Sequence, residues 1–312
     1  MRILALVGLV AFLPACGGSS GGTALPLGSQ RHGIAQPPRA VLLYAGGPNA
    51  NDVDVYPFTN DPPPLRHITA GLDAPTGMAV DSAGNLYVCN NAGQTVPGKS
   101  VFWTVTVYRR GGANPIRTYT QGVFSPVDVA VGSDGKVYVA NYSSAVTVYP
   151  AGSLRPSNKL REPAGYAPIG VALDAGGDVV VSYVPRSGNG GSIYEYRAGR
   201  AAGRDLGIVF GGSPHGLAID ANGNLIVAVS NAPQSGSEIE VFAPGAKQPK
   251  QTLHGPFQPF MLALSANGRR LSVADYGSGN DDGGVFVYAY PSGTLLFKDT
   301  QGAAAGAYGV AL

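Results

Sequence analysis

The stretch PHGLAIDANGNLIV, Pro214–Val227, occurs with variations four more times in this chain of 312 residues. The copies lie 51, 42, 46 and 45 residues apart, because they begin at Pro75, Pro126, Pro168, Pro214 and Pro259. Each copy contains two short apolar runs joined by a segment such as DANGN, in which Gly allows a positive φ and Asp can accept hydrogen bonds from its own backbone. The sequence therefore predicts one β-hairpin, written five times.

A third run, in which β-branched and aromatic residues alternate with other types, follows each hairpin and is typical of a half-buried strand. These runs are Val105–Tyr108, Val146–Tyr149, Ile193–Tyr196, Ile239–Phe242 and Val285–Tyr288. A weaker fourth strand leads to the next proline. Short strands that recur with a period in the forties indicate a β-propeller built from four-stranded antiparallel blades.

The two ends of this region complement each other. Ala307–Leu312, AYGVAL, matches the first strand of the repeat, whereas Ala40–Gly46 matches the second strand and Val53–Phe58 the third. We therefore expect the last strand to pair with the first blade and to close the ring, which removes the exposed edges of an open array. Residues 39–312 then form six blades of about 46 residues each, a length that fits the observed period.

The first residues differ in character from the repeats. Arg2 precedes an apolar run, Ile3–Leu13, which is too short to span a membrane comfortably. The stretch Leu13-Pro14-Ala15-Cys16 resembles a bacterial lipobox, so we predict a signal peptide over 1–15, a lipidated Cys16 and a flexible linker over 16–38. Such a protein would be exported and anchored by lipid in the cell envelope. An ordinary signal peptide is the alternative.

Charge and cysteine content exclude some classes of function. Twenty-one basic and 19 acidic residues give a net charge of +2, and the basic side chains are scattered, so we expect no nucleic-acid partner. If Cys16 is lipidated, Cys89 has no partner for a disulfide. Its counterparts in the other repeats are the small residues Ala140, Ser182, Ala228 and Ala274, and we therefore predict that it is a small core residue. We expect a monomer.

The recurring pattern P-x-G-x-A-x-D-x-x-G-N-L-x-V resembles the NHL-repeat and lactonase-like six-bladed propellers. Lactonase-like propellers hold a divalent metal through a Glu, an Asn and an Asp, and the resemblance places Asn141 and Asp275 at two of these positions. No acidic residue stands at the third. Pro214-His215-Gly216 also looks like motifs of streptogramin-lyase-like propellers, in which a His acts as a general acid and base.

Propellers bind ligands at the mouth of the central channel, which the first strands line. Two sets of residues are therefore candidates for contact with a ligand. One set follows the prolines and includes His215, and the other lies two positions after the end of each second strand. The predicted mouth residues are Asn90, Asn141, Tyr183, His215, Asp275 and Tyr308. Two further interpretations remain open: Asn90, Asn141 and Asp275 can instead cap strand ends, and His215 can be a hydrogen-bonding residue of the channel wall.

The main functional hypothesis from the sequence is an envelope-anchored binding module that takes a protein, peptide or saccharide at its channel face. The alternative is a metal-dependent hydrolase, or a lyase that uses His215 as the catalytic candidate. No cofactor is expected for the binding module. A divalent cation such as calcium near Asn141 and Asp275 belongs to the alternative, and calcium requires more charged oxygen ligands than these residues supply.

Overall fold

The structure of the chain is a computed structural model that describes residues 42–48, 51–58, 62–91, 103–231, 236–277, 283–304 and 306–312. The predicted signal peptide, the linker and Cys16 lie outside the described residues. In the described part, none of the helices has the length and hydropathy needed to cross a membrane.

The described strands form six four-stranded sheets, which confirms the predicted six-bladed propeller. Blade I contains β1 (Leu42–Gly47), β2 (Asp52–Pro57), β3 (Arg66–Ile68) and, as its innermost strand, β24 (Gly309–Ala311). Blade II contains β4 (Pro75–Val80), β5 (Leu86–Asn90), β6 (Thr104–Tyr108) and β7 (Pro115–Tyr119). Blade III contains β8 (Pro126–Val131), β9 (Val137–Asn141), β10 (Thr147–Tyr149) and β11 (Asn158–Lys159).

The other three blades follow the same order. Blade IV contains β12 (Tyr166–Leu173), β13 (Val179–Pro185), β14 (Ser192–Tyr196) and β15 (Arg204–Asp205). Blade V contains β16 (Ser213–Ile219), β17 (Leu225–Ser230), β18 (Glu238–Phe242) and β19 (Gln251–Leu253). Blade VI contains β20 (Pro259–Leu264), β21 (Arg270–Asp275), β22 (Gly284–Ala289) and β23 (Thr294–Asp299), followed by a short 3₁₀ helix, Gly302–Ala304.

The two ends of the chain region join in blade I, as the sequence predicts. Strand β24 pairs antiparallel with β1, with Tyr44 opposite Ala311 and Gly46 opposite Gly309. Strand β1 is therefore covered on its inner side, and no blade among the described residues is left with three strands.

The repeated hairpin turn has the predicted geometry. In blade V, Oδ1 of Asp220 accepts hydrogen bonds from the backbone N–H groups of Asn222 and Asn224, at 2.9 and 2.8 Å. Gly223 has a φ of 76°, in the left-handed region that residues with a Cβ rarely adopt. The same Asp and Gly positions recur in blade II as Asp81 and Gly84.

The core of the propeller is distributed between the blades rather than concentrated in one place. Six clusters of buried apolar residues lie at the six interfaces between neighbouring blades of the described chain, including the interface of blade VI with blade I. Cys89 belongs to the cluster between blades II and III and is completely buried, as are its four counterparts. This confirms its predicted role as a small core residue, and burial raises the pKa of its thiol well above the ordinary value.

Candidate binding sites in the central channel

The innermost strands define two cavities, one at each end of the channel. The first ends of these strands contribute to a cavity of about 380 Å³, which we call the aromatic mouth; its lining residues are Pro48, Thr76, Asn91, Gln258, Phe260, Tyr276 and Tyr308. The last residues of the strands contribute to a cavity of about 240 Å³, which we call the aliphatic end. The two cavities have no lining residue in common.

Three rings form the walls of the aromatic mouth. The ring centroids of Phe260 in blade VI and Tyr308 in blade I lie 3.6 Å apart with the ring planes tilted by 35°, and Tyr276 meets Tyr308 edge to face at 5.8 Å and 86°. All three side chains are partly exposed. The rings therefore make an apolar corner that is open to a ligand.

The carboxylate of Asp275 binds the backbone next to this aromatic corner. Its carboxylate is completely buried and accepts hydrogen bonds from the backbone N–H groups of Phe257, Gln258 and Gly277, at 3.1, 2.6 and 3.3 Å. The backbone N–H of Tyr276 in turn donates to the carbonyl of Gln258. Asp275 is thus placed to orient Gln258 and Tyr276 rather than to contact a ligand, and burial raises the pKa of its carboxyl group.

His215 joins blade V to blade VI beside the same corner. Its half-buried ring lies 4.4 Å from the ring of Phe260, and its Nδ1 is 3.3 Å from the carbonyl oxygen of Pro259. Because a carbonyl oxygen only accepts, Nδ1 carries the proton and Nε2 presents a lone pair. Burial lowers the pKa of the imidazole to about 4, so the ring is neutral at pH 7.

Asn90 and Asn141 lie inside their blades. Nδ2 of Asn90 donates to the hydroxyls of Thr104 and Thr106, and its Oδ1 accepts from the backbone N–H of Asp73. Asn141 makes the corresponding contacts with Thr147 and Phe124, and both amides are almost completely buried. Each side chain therefore fastens the loop that precedes the innermost strand of its own blade.

Tyr183 is also buried, within blade IV. It is inaccessible to solvent, and its hydroxyl lies 2.7 Å from that of Tyr196, which donates to the carbonyl of Arg161. Of the six mouth residues that the sequence suggests, Tyr308 lines the aromatic mouth and His215 lies beside it, whereas the other four have their polar atoms engaged within the protein.

Asp128 is a channel residue that the sequence reasoning missed. It occupies the position at which four of the six innermost strands have Gly: Gly77, Gly170, Gly216 and Gly309. It lines the aliphatic end, is 7% exposed, and its Oδ2 accepts a hydrogen bond of 2.9 Å from the backbone N–H of Val171 in blade IV. The departure from Gly was the signal that could have revealed it.

A second group of ionisable residues lies away from the channel, on β2 and β3. Asp52, Asp54 and His67 bring their ligand atoms within 4.8 Å of one another, a set that could hold a divalent cation. Nδ1 of His67 contacts Oδ1 of the buried Asp54 directly and lies 3.7 Å from Oδ2 of Asp52. The contact between His67 and Asp54 is an ion pair whenever the imidazole is protonated.

Comparisons with known proteins support the fold. No protein-family model and no curated protein sequence matches the chain. A chain of the nidogen/laminin complex matches with a TM-score of 0.65 and 17% identity over 86% of this chain and 97% of its own. A Bacteroides caccae protein of unknown function matches with a TM-score of 0.61 and 13% identity, over 87% and 98% of the two chains.

A third solved structure shares the propeller architecture. Hydrazine synthase from Kuenenia stuttgartiensis also contains a similar chain, with a TM-score of 0.52 and 13% identity over 79% of this chain and 75% of its own. At such identities the likeness shows the fold alone. The chain is a six-bladed β-propeller whose candidate sites lie at the two ends of its channel.

Proposed function

We propose that this protein is an envelope-anchored binding module that takes a neutral saccharide at the aromatic mouth. The observation that carries the proposal is the corner formed by Phe260, Tyr308 and Tyr276, next to the amide side chains of Asn91 and Gln258. The apolar faces of a sugar ring can stack on aromatic rings while amides exchange hydrogen bonds with its hydroxyls, which is the usual division between apolar walls and a few polar groups in a ligand site.

The charge of the mouth supports a neutral ligand. Among the described residues that line it, there is no Lys, Arg, His, Asp or Glu. The nearby His215 is neutral at pH 7 and hydrogen bonds to a carbonyl, whereas general acid–base catalysis usually needs a pKa close to the working pH. These features favour binding over the hydrolase or lyase alternative.

The fold is compatible with an interaction role. A chain of the nidogen/laminin complex has the same architecture, so this fold occurs in a protein assembly. A peptide is therefore the competing ligand class for the mouth. We favour a saccharide because the three rings are combined with amides and not with charged groups.

The decisive experiment measures calorimetric binding of a panel of neutral oligosaccharides and of uncharged, proline-rich peptides to the propeller. We expect Tyr276→Ala to weaken saccharide binding roughly two- to tenfold, since one aromatic contact contributes roughly 0.5–1.5 kcal/mol. The ring is 37% exposed, so the melting temperature should hardly change. Leu296→Ala, which removes a side chain of similar exposure from the outer strand β23, is the matched control and should leave binding intact.

Two results would contradict the proposal. If saccharides bind equally well to the parent and to Tyr276→Ala, the site lies elsewhere. If only the peptides bind, and Tyr276→Ala abolishes that binding, the mouth is a site but its ligand class is wrong.

The repeat pattern favours a propeller of the NHL type. Membrane anchoring of this propeller through Cys16 is the second part of the proposal. Its basis is the lipobox-like stretch Leu13–Cys16. We expect Cys16→Ser to move the protein from the membrane fraction to the soluble fraction, or to leave an uncleaved precursor, without changing the melting temperature of the propeller. A cleaved Cys16→Ser protein that still sediments with membranes would contradict lipidation.

A further inference from the structure

Aliphatic side chains surround the opening at the aliphatic end of the channel. Five innermost strands finish on a partly exposed aliphatic residue, and in blade I the partly exposed Leu312 directly follows β24. Together these residues surround the opening: Val80, Val131, Leu173, Ile219, Leu264 and Leu312. An alanine precedes each of them in the sequence. Aliphatic side chains therefore surround the cavity of about 240 Å³, and Asp128 and backbone groups supply its polar surface.

Asp128 is the exception in this cavity. It is the only ionisable side chain among the described residues that line the cavity. Its carboxylate accepts hydrogen bonds from the backbone N–H groups of Val129 and Val171, both 2.9 Å long, and among the described residues no cationic side chain pairs with it. A buried carboxylate without a counter-ion is costly unless it is neutralised by a proton or by a cation.

We propose that the aliphatic end binds a primary ammonium group carried on an unbranched aliphatic chain, with Asp128 as its counter-ion. Asp128 lies three residues before Val131 at the rim, a distance of about 10 Å along an extended strand. A chain of roughly four to six methylenes would span it, with the aliphatic ring packed around its carbons. This site lies at the other end of the channel from the aromatic mouth, so it does not depend on the proposed saccharide function.

The affinity should depend on pH in a defined direction. Burial raises the pKa of Asp128 to about 7, against the two hydrogen bonds that lower it, whereas an alkylammonium stays charged to about pH 10. The titratable neighbour of Asp128 is Cys89 of β5, which is neutral because its pKa is also raised, and β12 contributes the backbone N–H of Val171. Binding should therefore strengthen about tenfold between pH 6 and pH 8, as the carboxylate fraction rises.

The test is isothermal titration calorimetry of the propeller with n-hexylamine at pH 6 and pH 8, and with 1-hexanol as the uncharged match. We expect hexylamine to bind at least tenfold more tightly than hexanol at pH 8, and Asp128→Asn to remove that difference. Tyr276→Ala should bind hexylamine like the parent, which separates this site from the aromatic mouth. A capped lysine, Nα-acetyl-lysine N-methylamide, tells whether the ammonium group belongs to a free amine or to a protein side chain.

Equal affinities for hexylamine and hexanol in the parent protein would overturn the proposal, and this comparison needs no variant to fold. An amine preference that persists in a folded Asp128→Asn protein would also overturn it. Tighter binding of the capped lysine would assign the site to a partner protein's lysine, and tighter binding of hexylamine to a small amine.

Discussion

The two ends of the channel are built from the same six strands, yet the residue types vary between blades at one end and are uniform at the other. At the first ends, the position after proline or its equivalent holds six different side chains: Thr76, Val127, Ile169, His215, Phe260 and Tyr308. At the last ends, all six positions are Val, Leu or Ile. The positions that repeat therefore maintain the fold, whereas the positions that vary are the ones at which a ligand site can form.

The physical reason lies in the chain segments next to each end. Five of the six aliphatic residues, all but Leu312, precede a tight hairpin turn. They pack partly against the clusters between blades, as Leu173 and Ile219 do, so a polar side chain there would lose apolar contact. The first ends face the loops that connect the second and third strands, and those loops differ in length from blade to blade. The side chains at the first ends of the innermost strands can therefore differ from blade to blade.

Removal of the strand that belongs to both ends should have the largest effect. Deletion of 306–312 eliminates β24, and with it Tyr308 of the aromatic mouth, Leu312 of the aliphatic end and the pairing with β1. We expect an insoluble protein or one without a cooperative thermal transition, since blade I would expose the edge of β1 and the cluster between blades VI and I. A soluble truncated protein that melts at the parent's temperature would contradict this closure.

The next effect concerns the buried carboxyl of the aliphatic end. Because the folded-state pKa of Asp128 is raised to about 7, the folded protein binds more protons than the unfolded chain between about pH 4 and pH 7. This group therefore contributes stability at low pH that is lost as the pH rises, by at most about 1.4 kcal/mol per pH unit. The free energy of unfolding of Asp128→Asn should be lower than that of the parent at pH 4.5, and the difference should shrink or reverse at pH 8. Denaturant unfolding of both proteins at several pH values measures this difference.

The pH dependence that His215 contributes has the opposite sign. Its folded-state pKa of about 4 means that its contribution to stability is lost as the pH falls from about 6.5 to 4. His215→Asn keeps an N–H donor but cannot titrate, and is the matched control. A parallel pH dependence for the parent and Asp128→Asn would show that Asp128 does not titrate in this range.

The smallest effect is expected at the aromatic mouth. His215→Ala removes one hydrogen bond to Pro259 and the contact with Phe260, so the free energy of unfolding should fall by about 1 kcal/mol, the usual size for one hydrogen bond. Saccharide affinity should fall only a few-fold, because Phe260 is loosened but not removed. A loss of several kcal/mol, measured by chemical unfolding, would make His215 a core residue and not a wall of the mouth.

The sequence was informative about the mouth only in part. It pointed to His215 and Tyr308 because the position after proline, or its equivalent in blade I, varies from blade to blade; Tyr308 lines the cavity, and the ring of His215 contacts that of Phe260. It could not orient Asn90, Asn141, Tyr183 and Asp275, each of which lies directly opposite a proline of the neighbouring strand. Whether a side chain at that register points to the channel or to a loop of its own blade depends on loops whose paths the repeat does not encode.

The amino-acid sequence by itself determined the number of blades, the hairpin turns and the closure by β24, because these arise from local patterns of strands and turns that repeat with a fixed period. Only the tertiary structure decided which polar groups reach the channel. Asp128 and Asp275 are both aspartates near strand ends, yet one lines the aliphatic end and the other holds Gln258 by a hydrogen bond. The difference arises because the environment of each carboxylate is made by chain segments distant in sequence, Val171 in one case and the loop before β20 in the other.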